Sequence, residues 1–320
     1  MIKKILIIRN DKIGDLVTST GVFRELKKAF PESEINAIVS KAGEQIILKN
    51  KNIDKILVAD YPPNNYKNFI SYVNLIKILK KENIDVGIDL RGSIFNIIFL
   101  YLIKAKYKVG YYNHYFSKFF LDYSYKKDRK NTHAVFQRID LINKSLNLNS
   151  KNYALDIAVD KEDEKKANEL IKDFKLKKFV CIVPDASLEY KQWPLERFDK
   201  IIKYLHRNYL KYKVVLIGYD KDKMNWLKKI NPEIIVPEEL LDLRVSYLLF
   251  KKSHLVITHD GGPMHIAGAA NCNMIAFIPK HLAIPYYKPL SKNSRIINKD
   301  TKNISVEEVE EVIERFLSQR

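Results

Sequence analysis

At 320 residues the chain has room for two ordinary domains, and 46% hydrophobic against 29% charged residues is a globular balance, not a disordered or fibrous one. No apolar run reaches the ~18–20 residues of a membrane span. Two cysteines, Cys181 and Cys272, exclude a disulfide framework and a cysteine-rich zinc site, which fits the cytoplasm. Lys plus Arg number 56 against 38 Asp plus Glu, a net charge of +18. That field favours anionic partners such as nucleic acid, a phospholipid surface or a phosphorylated substrate, although the Lys-, Asn-, Ile- and Tyr-rich bias of an AT-rich genome accounts for it as well.

In chain order, the opening apolar run is short for a secretion signal and lacks a small-residue cleavage site, so residues 5–8 read as a strand buried on both faces. A polar turn over 9–15 leads into a helical pattern from Leu16 through Val22, Phe23 and Leu26 to Phe30, stopped by Pro31. Strands follow at 35–39 and 56–58, a helix at 69–81 and a strand at 86–90. The pattern weakens between Leu146 and Asp160, where Asn, Ser and Lys cluster, and then restarts. Helix 162–174, strand 179–183, helix 195–209 and strands at 214–218, 255–258 and 274–278 precede an amphipathic helix from Val306 to Leu317. Alternating strands and helices predict two doubly wound α/β domains, 1–155 and 156–320, and the closing helix, 306–320, is free to pack back toward the first domain.

Such sheets bind ligands at the carboxyl ends of their strands, where helix N-termini point outward. Three strand-to-helix turns carry suitable chemistry. In the first, Gly14 suits a positive φ or close backbone approach, and Asp15 is either a helix N-cap or a catalytic carboxylate. In the second, residues 184–194, Pro194 opens a helix with Lys191 and Trp193 beside it. Lys191 is either a phosphate ligand or a solvated lysine, and Trp193 suits packing. In the third, Asp260 suits a helix cap, Gly261 and Gly262 admit a ligand to the backbone, and Pro263 fixes the first turn. His265 lies in that first turn, as a core histidine or facing the same mouth. No G-x-G-x-x-G occurs, so no dinucleotide fingerprint is present.

Together these turns resemble glycosyltransferase family 9, the heptosyltransferases of lipopolysaccharide core assembly. Residues 13–17 with the helix ending at Pro31 look like the family's opening. Lys191-Gln192-Trp193-Pro194 through Phe198 looks like its K-x-W-P-x-x-x-F element, and residues 260–267 are similar to D-[TS]-G-P-x-H-[LI]-A. The tail at 304–309 also matches. The resemblance implies a GT-B architecture, two Rossmann-like domains facing an interdomain cleft, with acceptor on the first and nucleotide sugar on the second. It implies inverting, metal-independent transfer with no cofactor, from a nucleotide-sugar donor, ADP-heptose above all, to a lipid-linked saccharide. Asp15 would then be the general base; Lys191, Asp260, Gly261, Gly262 and His265 would hold the donor. Gly14, Arg91 and His133 are acceptor-side candidates.

Three positions depart from the family pattern: Gly261 stands where Thr or Ser is usual, Pro279 where Phe-Gly follows the strand, and Asp185 where Gly is common. Asp220-Lys221-Asp222 reads as a solvated turn, not a metal site. Residues 101–130 interleave aromatics, Tyr115 and Phe116 among them, with lysines. That stretch is either a contact to an anionic inner-membrane surface or a core helix with a solvated lysine face. Two other functions are a non-catalytic binder of anionic polymer, which no nucleic-acid-binding motif supports, and a family member that binds donor without transferring it.

Overall fold

Continuous aliphatic runs become central parallel strands in two units, residues 1–158 and 159–320. The computed structural model describes residues 1–60, 66–112 and 115–318; the side chains of residues 66–69 and 115–117, Tyr115 and Phe116 among them, lie outside that description.

The first unit runs β1 (Lys4–Arg9), α1 (Ile13–Val17), α2 (Thr20–Ala29), β2 (Glu34–Val39), α3 (Lys41–Ile47), β3 (Lys55–Val58), α4 (Tyr66–Leu79), β4 (Val86–Asp89), α5 (Ile94–Leu102), β5 (Tyr107–Tyr112), β6 (Tyr123–Lys126) and α6 (Ala134–Leu146). Its six strands are parallel in the order β3-β2-β1-β4-β5-β6. The chain reverses its winding between β1 and β4, so a ligand crevice is expected at the carboxyl ends of those two strands.

Two expectations fail here for physical reasons. The helical pattern from Leu16 to Phe30 is two helices, not one. Thr18 Oγ1 donates to the Gly14 and Asp15 carbonyls (3.0 and 3.1 Å) and Ser19 Oγ to the Asp15 carbonyl (2.8 Å), and such hydroxyls compete with the backbone ladder. The stretch 101–130 is not a helix either: β5, a 3₁₀ turn at Tyr115–Phe120 and β6 occupy most of it.

The second unit contains α7 (Lys161–Asp173), β7 (Phe179–Ile182), α8 (Leu195–Asn208), β8 (Lys213–Leu216), α9 (Lys221–Ile230), α10 (Leu243–Lys252), β9 (Leu255–His259), α11 (Gly262–Ala269), β10 (Met274–Ile278), α12 (Ile284–Tyr287), β11 (Ser294–Asn298) and α13 (Val306–Leu317). Its parallel sheet is ordered β11-β10-β9-β7-β8, with the reversal between β7 and β9. Val306, Val309, Ile313 and Leu317 of α13 are buried in the second unit's own core with Phe198, Ile201 and Leu205 of α8. Tyr204 Oη also donates to Glu314 Oε1 at 2.7 Å.

Candidate active site

In the first unit a polar cluster sits at the reversal point. Asp15 is the third residue of α1 and is not its cap; that place belongs to Lys12. Its carboxylate turns instead to two guanidiniums: Arg9 Nη2 lies 2.5 Å and Arg138 Nη2 3.1 Å from Oδ1. Both arginines are buried, while Asp15 stays partly exposed. Arg9 comes from the end of β1 and also donates to the Leu90 carbonyl at 2.5 Å. Its Nε faces Asp11 Oδ1 at 3.0 Å. Arg138 reaches across from α6 to Thr18 Oγ1, which the break between α1 and α2 exposes to it. Charge-assisted hydrogen bonds from two sides fix a carboxylate's orientation as well as its charge.

The floor of the cluster is β4. Buried Asp89 accepts from the Arg91, Gly92 and Ser93 amides at 3.0, 2.8 and 2.9 Å and from Asn96 Nδ2 at 3.1 Å. Burial nonetheless pushes its carboxyl up from the ordinary value. Gly92 adopts φ 79°, a left-handed turn that favours glycine. Arg91 leaves this turn and stands 3.6 Å from Asp11 Oδ2, so that acceptor-side candidate joins the Asp15 cluster through Asp11. Lys127 follows β6, donates to the Arg91 carbonyl and lies 4.7 Å over the Tyr111 ring. Burial, reinforced by Arg9, pushes its ammonium down to about 7, against the pull of Asp89.

Two other candidates behave differently. Gly14 is helical and buried within α1, without the positive φ its type allows. His133 caps α6, its Nδ1 accepting from the Val135 amide at 3.1 Å.

In the second unit the turns after β7 and β9 meet at the other reversal point. Lys191, in a short 3₁₀ turn (Glu189–Lys191), is ion-paired with Asp260 Oδ2. Asp260 therefore does not cap α11; Gly261 holds that position without a side-chain cap. Pro194 is the cap residue of α8, one place earlier than its sequence suggests. Trp193 is buried, donates from Nε1 to the Ile304 carbonyl at 2.9 Å and stacks edge-on against Phe198. The first turn of α11 contains Gly262, Pro263 and the largely buried His265. A Cβ at Gly261 would meet only Pro263 Cδ, at 3.9 Å, so the Ser or Thr of the family pattern fits there. Lysine beside the positive end of a helix dipole is an anion site.

The sequence model of glycosyltransferase family 9 (heptosyltransferase) matches residues 72–314. The chain belongs to this family. It is a glycosyltransferase, and the anionic-polymer binder gives way to that assignment. Lipopolysaccharide heptosyltransferase 1 of Campylobacter coli is 25% identical over 316 residues, 92% of this chain and 88% of that protein. A family 9 structure from Veillonella parvula superposes with a TM-score of 0.85 at 22% identity, covering 99% of this chain and 98% of that one. The structure of E. coli ADP-heptose lipopolysaccharide heptosyltransferase II gives 0.79 at 18% identity, covering 99% of each chain. The fold is thus the GT-B fold of family 9.

Two residues outside the predicted set organise the turns after β7 and β8. His259, the last residue of β9, accepts the Trp193 amide on Nε2 at 2.8 Å, and its Nδ1 lies 3.1 Å from the Asp185 carbonyl, which makes Nδ1–H the donor there. One neutral imidazole thus ties both flanks of the Lys191 turn to the sheet. Burial pushes its pKa down to about 4. Below the ordinary value near 6.5 the unfolded chain takes up a proton that the fold refuses until about pH 4. Stability should therefore be full above pH 6.5 and fall by about 3 kcal/mol between there and pH 4. Urea midpoints against pH, compared between the wild type and H259N, measure this; identical slopes would remove it.

Asp185, the departure from the family's glycine, is the second. Its Oδ2 accepts the Tyr219 and Asp220 amides at 2.7 and 2.9 Å, bracing the turn into α9, and burial raises its carboxyl above the ordinary value. A Cβ at Gly218 would stand 2.4 Å from that same oxygen. Gly218→Ala is expected to cost about 1–3 kcal/mol in the wild type by overpacking, and close to nothing in an Asp185→Gly background. Equal costs in both backgrounds, read from denaturant midpoints, would contradict the coupling. In the same turn Asp220 caps α9 through the Lys223 amide at 3.2 Å.

Proposed function

We propose that the chain transfers heptose from ADP-heptose to a lipopolysaccharide core or related lipid-linked saccharide, inverting the anomeric centre without metal or cofactor. We place the reaction at the cytoplasmic face of the inner membrane, in peripheral contact with it. The observation that carries the reading is the Asp15 carboxylate gripped by buried Arg9 and Arg138 at the β1/β4 reversal. An inverting displacement needs a base for the acceptor hydroxyl and charge stabilisation for the departing diphosphate. Asp15 takes the hydroxyl proton as the acceptor oxygen bonds to the anomeric carbon. The carbon–oxygen bond to the diphosphate breaks and its electron pair leaves with the diphosphate.

Lys191 and the first turn of α11 receive that charge, with Asp260, Gly261, Gly262 and His265 forming the donor turn. The similarity to E. coli ADP-heptose lipopolysaccharide heptosyltransferase II and to lipopolysaccharide heptosyltransferase 1 of Campylobacter coli supports ADP-heptose and lipopolysaccharide as the substrate classes. A thermal-shift screen of ADP-, UDP-, GDP- and CMP-sugars tests the donor. At a hundredfold excess over Kd the cognate sugar should stabilise the fold by about 2.7 kcal/mol. The ADP-sugar is expected to give that shift, and NMR of the product an inverted anomeric centre at a rate unchanged by EDTA. A retained configuration, or donor binding with no product, would overturn the assignment, the second result marking a member that binds without transferring.

A further inference from the structure

The solvent side of α5 is unlike that of an ordinary surface helix. Its nine residues, Ile-Phe-Asn-Ile-Ile-Phe-Leu-Tyr-Leu, include no charge. The single polar residue, Asn96, is buried, donating to Asn10 Oδ1 at 3.2 Å and to Asp89 at 3.1 Å. Ile97, Phe99 and Leu100 are buried beneath the helix, and Gly87 of β4 leaves room for Leu100, whose Cδ2 would lie 2.6 Å from a Cβ there. Ile94, Ile98, Tyr101 and Leu102 follow i, i+4, i+7, i+8 spacing on the outer face and are 37–56% exposed. Tyr101 packs edge-on against Phe120 at 5.6 Å, which joins the helix to the neighbouring 3₁₀ turn, where Phe119 is 74% exposed. A contiguous apolar patch of this kind marks an interaction surface.

Charge says what covers it. Residues 91–130 carry nine Lys or Arg and two Asp. Lys104 and Lys118, at the end of α5 and within the 3₁₀ turn, are exposed. A two-fold contact with a second copy would bring these lysines toward their own equivalents, whereas an anionic surface neutralises them. Nine helical residues span about 13.5 Å, under half the ~30 Å hydrocarbon core, so α5 can lie in a bilayer interface but cannot cross it. Among the described residues no helix is long and apolar enough to cross a membrane.

We propose that the outer face of α5, with Phe119, docks the protein on an anionic lipid bilayer, its aliphatic and aromatic side chains entering the headgroup–acyl boundary and its flanking lysines meeting the headgroups. This names the surface for the peripheral membrane contact put forward above and rests on it. Arg91 of the Asp15 cluster lies three residues before α5, so docking would hold that cluster near the membrane carrying a lipid-linked acceptor.

The test is co-sedimentation of the full chain with phosphatidylglycerol vesicles and with phosphatidylcholine vesicles, beside sedimentation velocity without lipid. The wild type should pellet with phosphatidylglycerol and lose that binding as salt rises. I98S/L102S should weaken binding at least about tenfold while keeping the wild-type melting temperature. Its turnover on a delipidated, soluble saccharide acceptor should match the wild type. Equal weak pelleting on both lipids would overturn the proposal, as would unchanged binding by the variant or a lipid-free dimer that I98S/L102S dissolves. Turnover on the soluble acceptor reads the transferase assignment separately: its absence in the wild type would sink that assignment and leave the vesicle result standing.

Discussion

Asp15→Asn is expected to lower turnover about 10²–10⁴-fold, the range a positioned general base contributes, while donor affinity stays at the wild-type value. Asparagine matches the carboxylate in shape and can still accept from Arg9 and Arg138 on one oxygen, but it has no electron pair basic enough to take a hydroxyl proton. Both guanidiniums keep other contacts, Arg9 to Asp11 and the Leu90 carbonyl and Arg138 to Thr18. The fold should survive with a loss of about 1–3 kcal/mol, since one charge-assisted partner of two buried cations is weakened. Single-turnover rates, donor titration and a urea midpoint on the same sample separate these effects. Unchanged turnover would remove Asp15 as the base.

Lys191→Met should act on rate and stability together, and a second substitution should pull them apart. The Lys191 and Asp260 side chains are 12% and 6% exposed, so Met at 191 leaves a buried carboxylate without its cation. Breaking such a pair costs about 3–5 kcal/mol. Loss of the cation opposite the leaving diphosphate should slow transfer by about 10²–10³-fold, as loss of one preorganised charge stabiliser does elsewhere. K191M/D260N removes both charges and should regain most of the stability but none of the rate. A double variant as unstable as the single one would deny the pair its structural part; recovered turnover would deny Lys191 its catalytic one.

The alternation of aliphatic runs with amphipathic segments made both sheets legible from sequence, because a strand buried on two faces has few other compositions. Asp15, Lys191 and Asp260 were legible for a related reason: each follows a strand, and strand ends are where such sheets gather ligands. Direction within a turn was not legible. Asp15 and Asp260 both read as caps, and both instead turn to cations delivered by other elements. Arg138, 123 positions away from Asp15, could not be paired with it by spacing. Its one signal was a charge set among Ile139, Leu141 and Ile142 on the apolar stripe of α6, where an unpaired arginine would be costly. His259 carried a similar signal, a lone imidazole closing the apolar strand Leu255–His259. The break at Thr18 and Ser19 escaped because periodicity continues through it while the backbone does not.

The space shared by Asp185 and Gly218 also restricts the order in which this protein can change. A lineage can discard the carboxylate first and fill the vacated volume afterwards, each intermediate remaining foldable. The reverse path begins with a methyl group driven against an oxygen that two amides hold in place. Divergence at the carboxyl end of the second sheet is therefore ordered at these two sites, and engineered exchange of this turn with a relative's must clear position 185 before, or together with, enlarging position 218.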